Sequence, residues 1–268
     1  MNIGKYVQMY SEDLRFKNYA ENTIKNYAAQ VELFLKYFNS SVTKPSEITE
    51  KRIKDWLMLA KTTNSMKHRI SAVKLFYELT GKQPLKFKYI KYPRSERHLP
   101  KVIDSAYLLD QLSKIQNIKH KAVIMLAYSV GLRVSEVINL KIADVDSGRM
   151  IITIRQAKGK KDRIVPLSTN VLNCLREYYK EEKPREYLFN GQDGRLQYSS
   201  TSCNAIVKQY LGDRYHFHLL RHSCFTSLLE KGTDLRIIQK IAGHKSSKTT
   251  EIYTHVSTQL LSKVSLPI

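Results

Sequence analysis

Apolar side chains in the first eighty residues recur at spacings of three and four, the period of one helix face. Ile24, Tyr27, Ala28, Val31, Phe34, Leu35 and Phe38 form the clearest stripe, just after Asn22 and Thr23, residue types that start helices. A further helix is predicted from about residue 46 to residue 61, with Ile53, Trp56, Leu57 and Ala60 on its apolar side. Another runs through Ile70, Val73, Phe76 and Tyr77 to a stop at Gly81. With a helix at the chain start, residues 1–82 predict a four-helix bundle.

The pattern breaks after Gly81. Residues 83–102 interleave aromatics with Pro84, Pro93 and Pro100 and with Lys86, Lys88, Lys91, Arg94 and Arg97, and predict an extended, basic interdomain linker. A second unit is expected over 103–268. Its helices are predicted near 105–115 and 120–130, again after Ser168, near 199–211 and 217–230, and from 234 to 242. Two β-rich runs, 150–156 and 163–167, flank the polar turn AKGKKD and predict a hairpin with a lysine-rich tip. The fold class is therefore mainly α with a small β-hairpin, an α+β chain.

Charge narrows the partners. The 268 residues carry 45 Lys and Arg against 24 Asp and Glu, a net charge of +21. Residues 1–100 hold 19 basic and 9 acidic side chains and the remainder 26 and 15, so the excess is not a basic tail. Nucleic acid is the acidic partner that best fits such a balance, ahead of an anionic membrane surface. Cys174, Cys203 and Cys224 make an odd set without a CxxC pair, which predicts buried thiols in a reducing compartment. The longest apolar run, 122–128, is too short to span a bilayer, and Lys5, Glu12 and Asp13 stand where a signal peptide is apolar, so a cytoplasmic protein is expected. Phosphate-cradling motifs GxxxxGK[ST] and GxGxxG are absent from the sequence.

Four segments of the second unit collect chemistry-bearing side chains: GLRVSEV (131–137), QAKGKKDR (156–163), HLLRH (218–222) and GHKSSKTTEIYTH (243–255). On helices, His218 and Arg221 share one face, as do Arg133 and Glu136. Two arginines, two histidines, a lysine and a tyrosine suit the gripping and splitting of a phosphodiester. An attacked phosphodiester gathers negative charge on its equatorial oxygens, and a guanidinium donates two hydrogen bonds to phosphate while staying ionised. A phenol, with a pKa of about 10, has to shed its proton to attack, and a departing alkoxide needs one.

These segments resemble the boxes of the tyrosine recombinases, the lambda-integrase family, and most closely its compact Xer-like and mobile-element integrases. GLRVSEV is similar to the first-arginine box, KGKKDR to the hairpin lysine, HLLRH to the H-x-x-R box, GH to the second histidine, and the tyrosine of EIYTH to the nucleophile. The resemblance implies that Tyr253 attacks the scissile phosphate, giving a 3′-phosphotyrosyl link and a free 5′-hydroxyl. It implies that Arg133 and Arg221 hold the nonbridging oxygens and that Lys158 protonates the leaving oxygen. His218 would act in proton transfer with the nucleophile, His244 on the phosphate, and Glu136 in support. His222 is expected to pack rather than react. Lys160 and Lys161 compete with Lys158 for the acid's role and are otherwise expected to touch DNA phosphates. No cofactor, metal or ATP is implied.

Rival readings rest on less. A metal-dependent hydrolase could draw on His216, His218, His222, His244 and His255, but HExxH and paired-carboxylate motifs are missing. A DNA-binding regulator without catalysis fits the charge and leaves the boxes unexplained, and a type IB topoisomerase is the nearest mechanistic alternative. The resemblance further implies a C-shaped clamp on double-stranded DNA with inverted half-sites, without room for an arm-binding domain, assisted in some systems by DNA-bending proteins. Val256, Leu260, Leu261 and Val264 give the tail an apolar stripe. Docked on a neighbour, that stripe predicts a monomer in solution and a homotetramer on paired sites.

Overall fold

The computed structural model describes residues 1–94, 101–157, 161–191, 196–244 and 246–255, leaving the side chains of 156, 157, 161, 248 and 255 aside. Arg97, Lys158, Lys160 and the stripe Val256, Leu260, Leu261 and Val264 lie outside these residues. The chain divides into two compact units, Met1–Arg97 and His98–Ile268.

The first unit contains α1 (Ile3–Phe16), α2 (Glu21–Phe38), α3 (Glu50–Met58) and α4 (Thr63–Leu79). The α2 stripe is the core: Ile24, Val31, Phe34, Leu35 and Phe38 are buried among Tyr10, Trp56, Phe76 and Tyr77. Aromatic rings meet edge to face, Phe34 with Trp56 at 5.0 Å and Tyr10 with Phe76 at 5.6 Å. Buried phenols find backbone acceptors: Tyr10 donates to the Ala72 carbonyl and Tyr77 to that of Pro45, each at 2.8 Å.

Three expectations for this unit change. The helix expected over 46–61 is shorter, because Pro45–Glu47 is a 3-10 turn, Ile48 is extended and fully buried, and the Thr49 hydroxyl caps α3 by accepting from the Arg52 N–H. Burying Ile48 at the helix entrance outweighs the propensity to extend the helix. The start of α2 lies before Asn22, at Glu21, with Ala20 as its cap. The stretch expected to be extended from 83 begins with another 3-10 turn, Pro84–Phe87, and Phe87 and Ile90 are buried in this unit's core. Lys86 is drawn in with them, donating to the Ser46 carbonyl at 2.7 Å, whereas Lys88, Lys91 and Arg94 are exposed.

The second unit is built on α5 (Ser105–Lys114), α6 (Ile118–Val130), α7 (Val134–Ile138), α8 (Thr169–Glu182), α9 (Ser200–Leu211), α10 (Phe217–Glu230), α11 (Leu235–Ala242) and α12 (Lys248–Glu251). Side chains of Asp104, Asn117, Ser168, Ser199 and Asp234 cap the helices they precede, which is why the expected starts fall close to the observed ones. A three-stranded antiparallel sheet adds β1 (Val145–Asp146) to the expected hairpin of β2 (Ile151–Ala157) and β3 (Lys161–Pro166). The hairpin register pairs Ile152 with Val165 and Ile154 with Arg163. Ile152, Ile154 and Val165 are buried in the core with α6, α8 and α9. Among the described residues no helix is long and apolar enough to cross a membrane.

Candidate active site

The site begins where α6 ends. Gly131 closes the helix at φ +64°, and a Cβ there would stand 2.4 Å from the Phe225 ring, so glycine alone fits both backbone and space. The turn delivers Arg133 as the N-cap of α7, outside the helix on which Arg133 and Glu136 were expected to share a face. Glu136 reaches back to it instead, accepting from the Arg133 N–H at 2.8 Å and from its Nη1 at 2.7 Å.

Glu136 has a second partner residue, one that the motifs did not single out. Arg163, on β3, grips it with both ends of its guanidinium, Nη1 to Oε1 at 2.8 Å and Nη2 to Oε2 at 2.9 Å. The Arg163 Nε donates to the Ile241 carbonyl at 2.8 Å, tying hairpin, α7 and α11 together. Its side chain also lies where a Cβ on Gly243 (φ +62°) would come within 3.0 Å. The available signal was its place in KGKKDR, two residues after the last lysine, where an arginine reads as another solvated cation. Burial pushes the Glu136 carboxyl up, but the fork of Arg163 and the Arg133 contacts outweigh it and bring the group to about 2.

Arg221 sits on α10 and is 1% exposed. Its Nη1 donates to the Gly131 carbonyl at 2.5 Å and its Nη2 to the Ala242 carbonyl at 2.6 Å. The guanidinium also faces the Phe225 ring at 4.8 Å and stands 4.0 Å from Glu136. Burial lowers it to about 10, with Arg133 adding to the effect, so it stays charged at neutral pH. Three guanidiniums thus surround one carboxylate, and Arg133, with 21% of its side chain exposed, is the most open of them. The surplus of positive charge makes this an anion site.

After α11, Gly243 turns the chain and sets His244 against Arg221, Nε2 to Nη2 at 3.0 Å. Arginine has no acceptor, so Nε2 accepts, the proton sits on Nδ1, and Nδ1 donates to Thr250 Oγ1 at 2.9 Å. Burial, then Arg221, Arg133, Arg163 and His222, hold His244 down at about 4, consistent with this neutral form. Tyr253, in the 3-10 turn Ile252–His255, is 3% exposed. Its ring stacks parallel to that of His244 at 6.5 Å and meets Phe225 at 5.4 Å. Burial pushes its phenol up to about 12, with Arg221 pulling against it.

The structure therefore brings Arg133, Glu136, Arg221, His244 and Tyr253 into one cluster. His218 and Arg221 both lie on α10, as expected, with His218 exposed and Arg221 buried. The histidine at the Tyr253 hydroxyl is His222, Nδ1 to Oη at 3.1 Å, where His218 had been expected. Lys161 opens β3, and Lys88, Lys91 and Arg94 belong to the first unit. Among the described residues no group of three or more His, Cys, Asp or Glu is arranged to hold a metal ion, and Cys174, Cys203 and Cys224 are free and buried.

Residues 102–259 match the phage integrase family and residues 7–86 the phage integrase N-terminal SAM-like domain. Tyrosine recombinase XerA of Pyrococcus horikoshii is 31% identical over 261 residues, covering 95% of this chain and 90% of the relative. The crystal structure of XerA recombinase matches at 30% identity and a TM-score of 0.56, covering 98% of this chain and 97% of that one. The XerH recombinase bound to a palindromic difH substrate shares the fold at 23% identity and a TM-score of 0.73, over 96% of this chain and 83% of that one. The chain belongs to the phage integrase family of tyrosine recombinases and is a tyrosine-type site-specific DNA recombinase.

Proposed function

We propose that this recombinase cleaves and rejoins DNA through a 3′-phosphotyrosyl intermediate on Tyr253. The observation that carries the reading is the unbroken line of contacts from Arg221 through His244 to the Tyr253 ring, with Arg133 open beside it. Arg133 and Arg221 hold the nonbridging oxygens, and their fixed positive charge stabilises the attacked phosphate. Lys158 protonates the departing 5′-oxygen, with Lys160 and Lys161 on DNA phosphates. His218 serves proton transfer, and His244 donates to the phosphate once its Nε2 leaves Arg221 and takes the ring proton, Nδ1 then accepting from the Thr250 hydroxyl. Glu136 keeps Arg133 in place. The charge and the protons come from the chain's own side chains, and the ester energy is kept in the phosphotyrosine, so neither a metal nor ATP is required. With the phenol 3% exposed, DNA binding has to open its surroundings before attack.

The substrate in this reading is double-stranded DNA with inverted half-sites, bound by residues 1–82 and 103–268. Residues 83–102 are the joining segment, and its Lys86, Lys88, Lys91, Arg94 and Arg97 contact the backbone. Strand exchange takes place in a homotetramer on paired sites formed from solution monomers, with accessory DNA-bending proteins where the sites demand them, in the cytoplasm and in the service of a mobile element. The test uses a nicked suicide duplex carrying the sequence that the full-length chain selects from a random pool. Cleavage in excess EDTA should leave a denaturation-resistant adduct, and Tyr253→Phe should bind the duplex normally and form none. An adduct from Tyr253→Phe would overturn the assignment.

A further inference from the structure

The guanidinium of Arg133 is held through Glu136, whose Oε1 accepts from Arg133 Nη1 at 2.7 Å and whose Oε2 accepts from the Arg133 N–H at 2.8 Å. Arg163 donates to the same two oxygens, Nη1 to Oε1 at 2.8 Å and Nη2 to Oε2 at 2.9 Å, so each oxygen takes one bond from each arginine. Two parallel bonds from a planar fork fix the plane of a carboxylate, which a single bond leaves free to turn. The fork is itself fixed: Arg163 Nε donates to the Ile241 carbonyl at 2.8 Å, and the side chain is 9% exposed. Charge gives a second reason for Arg163. Alone with Arg133, the Glu136 carboxylate would cancel the positive charge that has to meet a phosphate. With Arg163 on the same carboxylate, one positive charge is left over before Arg221 is counted. Burial pushes the Glu136 carboxyl up, and Arg163 contributes more than Arg133 to bringing it down.

We propose that Arg163 is a positioning residue for strand cleavage: through Glu136 it sets the pose of Arg133 and leaves the Arg133 charge free for the attacked phosphate. This rests on Arg133 holding a nonbridging oxygen. Arg163 itself has its fork on Glu136 and touches no DNA. Because it stands on β3 and bonds a carbonyl of α11, the pose of Arg133 on α7 depends on both of those elements.

The test compares full-length wild type, Arg163→Met, Arg163→Lys, Arg133→Ala and the double variant Arg133→Ala with Arg163→Met, at saturating protein. Each is given the suicide duplex described above and the same duplex with a methylphosphonate at the scissile position. Duplex affinity and the single-turnover rate of strand scission are measured. The methyl group replaces one nonbridging oxygen and removes its charge, so an arginine that serves this charge loses its purpose there. The expected result on the ordinary duplex is unchanged affinity and scission slowed by about 10- to 100-fold in Arg163→Met, the scale of losing an outer partner that orients an active group. Arg163→Lys should recover part of the rate, since it returns the charge without the fork. The double variant should be no slower than Arg133→Ala, and on the methylphosphonate duplex the gap between Arg163→Met and wild type should largely close. Partial unfolding of a variant slows scission of both duplexes alike, so equal slowing on the two would overturn the proposal and leave Arg163 to packing. Wild-type scission by Arg163→Met would overturn it as well, as would a double variant slowed by the product of the single effects. An Arg133→Ala defect that the methylphosphonate does not relieve would instead sink the assignment of Arg133 to a nonbridging oxygen, and the proposal with it.

Discussion

The two units of this chain are held together by different means. The first buries rings against rings, Phe34, Trp56, Phe76 and Tyr77, and its charged pairs lie outside, as between Lys36 and Glu32 at 2.6 Å. The second has a comparable apolar core over α6, α8 and α9, but beside it Arg163, Arg221 and Glu136 are withdrawn from water. Burying ions is unfavourable unless each is paired and hydrogen-bonded, and here each is: Glu136 by two arginines, Arg221 by two carbonyls and a histidine. An apolar cluster would hold α7, α10 and α11 together at least as well. A site preset for a phosphate explains the choice of charge, because its donors need no reorganisation when the anion arrives.

That contrast can be broken by substitutions that preserve shape. Glu136→Gln keeps the volume and removes the charge; the lowered carboxyl of about 2 against an ordinary 4.5 corresponds to about 3 kcal/mol at neutral pH. The second unit should lose roughly that much, read as faster amide exchange in α7 and α10, while α2 and α4 are unchanged. Equal loosening of both units would mean that the charges are not a local device. Gly131→Ala should follow, at roughly 2–3 kcal/mol, since it meets both the left-handed backbone and the Phe225 ring at 2.4 Å; its checkable mark is a lower melting temperature together with weakened cleavage.

Acid should find the same unit. His222 and His244 are held at about 4, below the ordinary 6.5, so the unfolded chain binds their protons first as pH falls. Their contribution is intact above pH 6.5 and is lost between 6.5 and 4; that of Glu136 is intact above 4.5 and is lost as pH falls towards 2. Urea midpoints taken from pH 7 to pH 4 should therefore fall, and fall less steeply in His222→Phe. A slope that the substitution leaves untouched would separate the two histidines from acid stability. The smallest effect belongs to the first unit's surface: Lys36→Ala should change stability by less than about 0.5 kcal/mol, as exposed ion pairs do.

Most of the first unit could be read from the chain because its stabilisation is periodic: the α2 stripe that spacing picks out is the stripe that is buried. Helix starts in the second unit were legible for a local reason, a Ser, Asn or Asp whose side chain caps the next turn. Ile48 and β1 were not legible, since an extended residue between two helical turns and a two-residue strand are set by tertiary neighbours. In the site, Arg133, Arg221, His244 and Tyr253 stand out by motif. Arg163 and the place of His222 do not, because pairing across β3 and α7, or across α10 and the turn at Tyr253, leaves no mark in local spacing.

One covalent bond decides whether Tyr253 is the nucleophile. The adduct formed on the suicide duplex should be digested with nuclease and trypsin and the nucleotide-bearing peptide sequenced by mass spectrometry. The nucleotide should be found on the peptide of residues 249–263, at Tyr253. A nucleotide on any other residue, or cleavage that leaves no nucleotide on the protein, would contradict it.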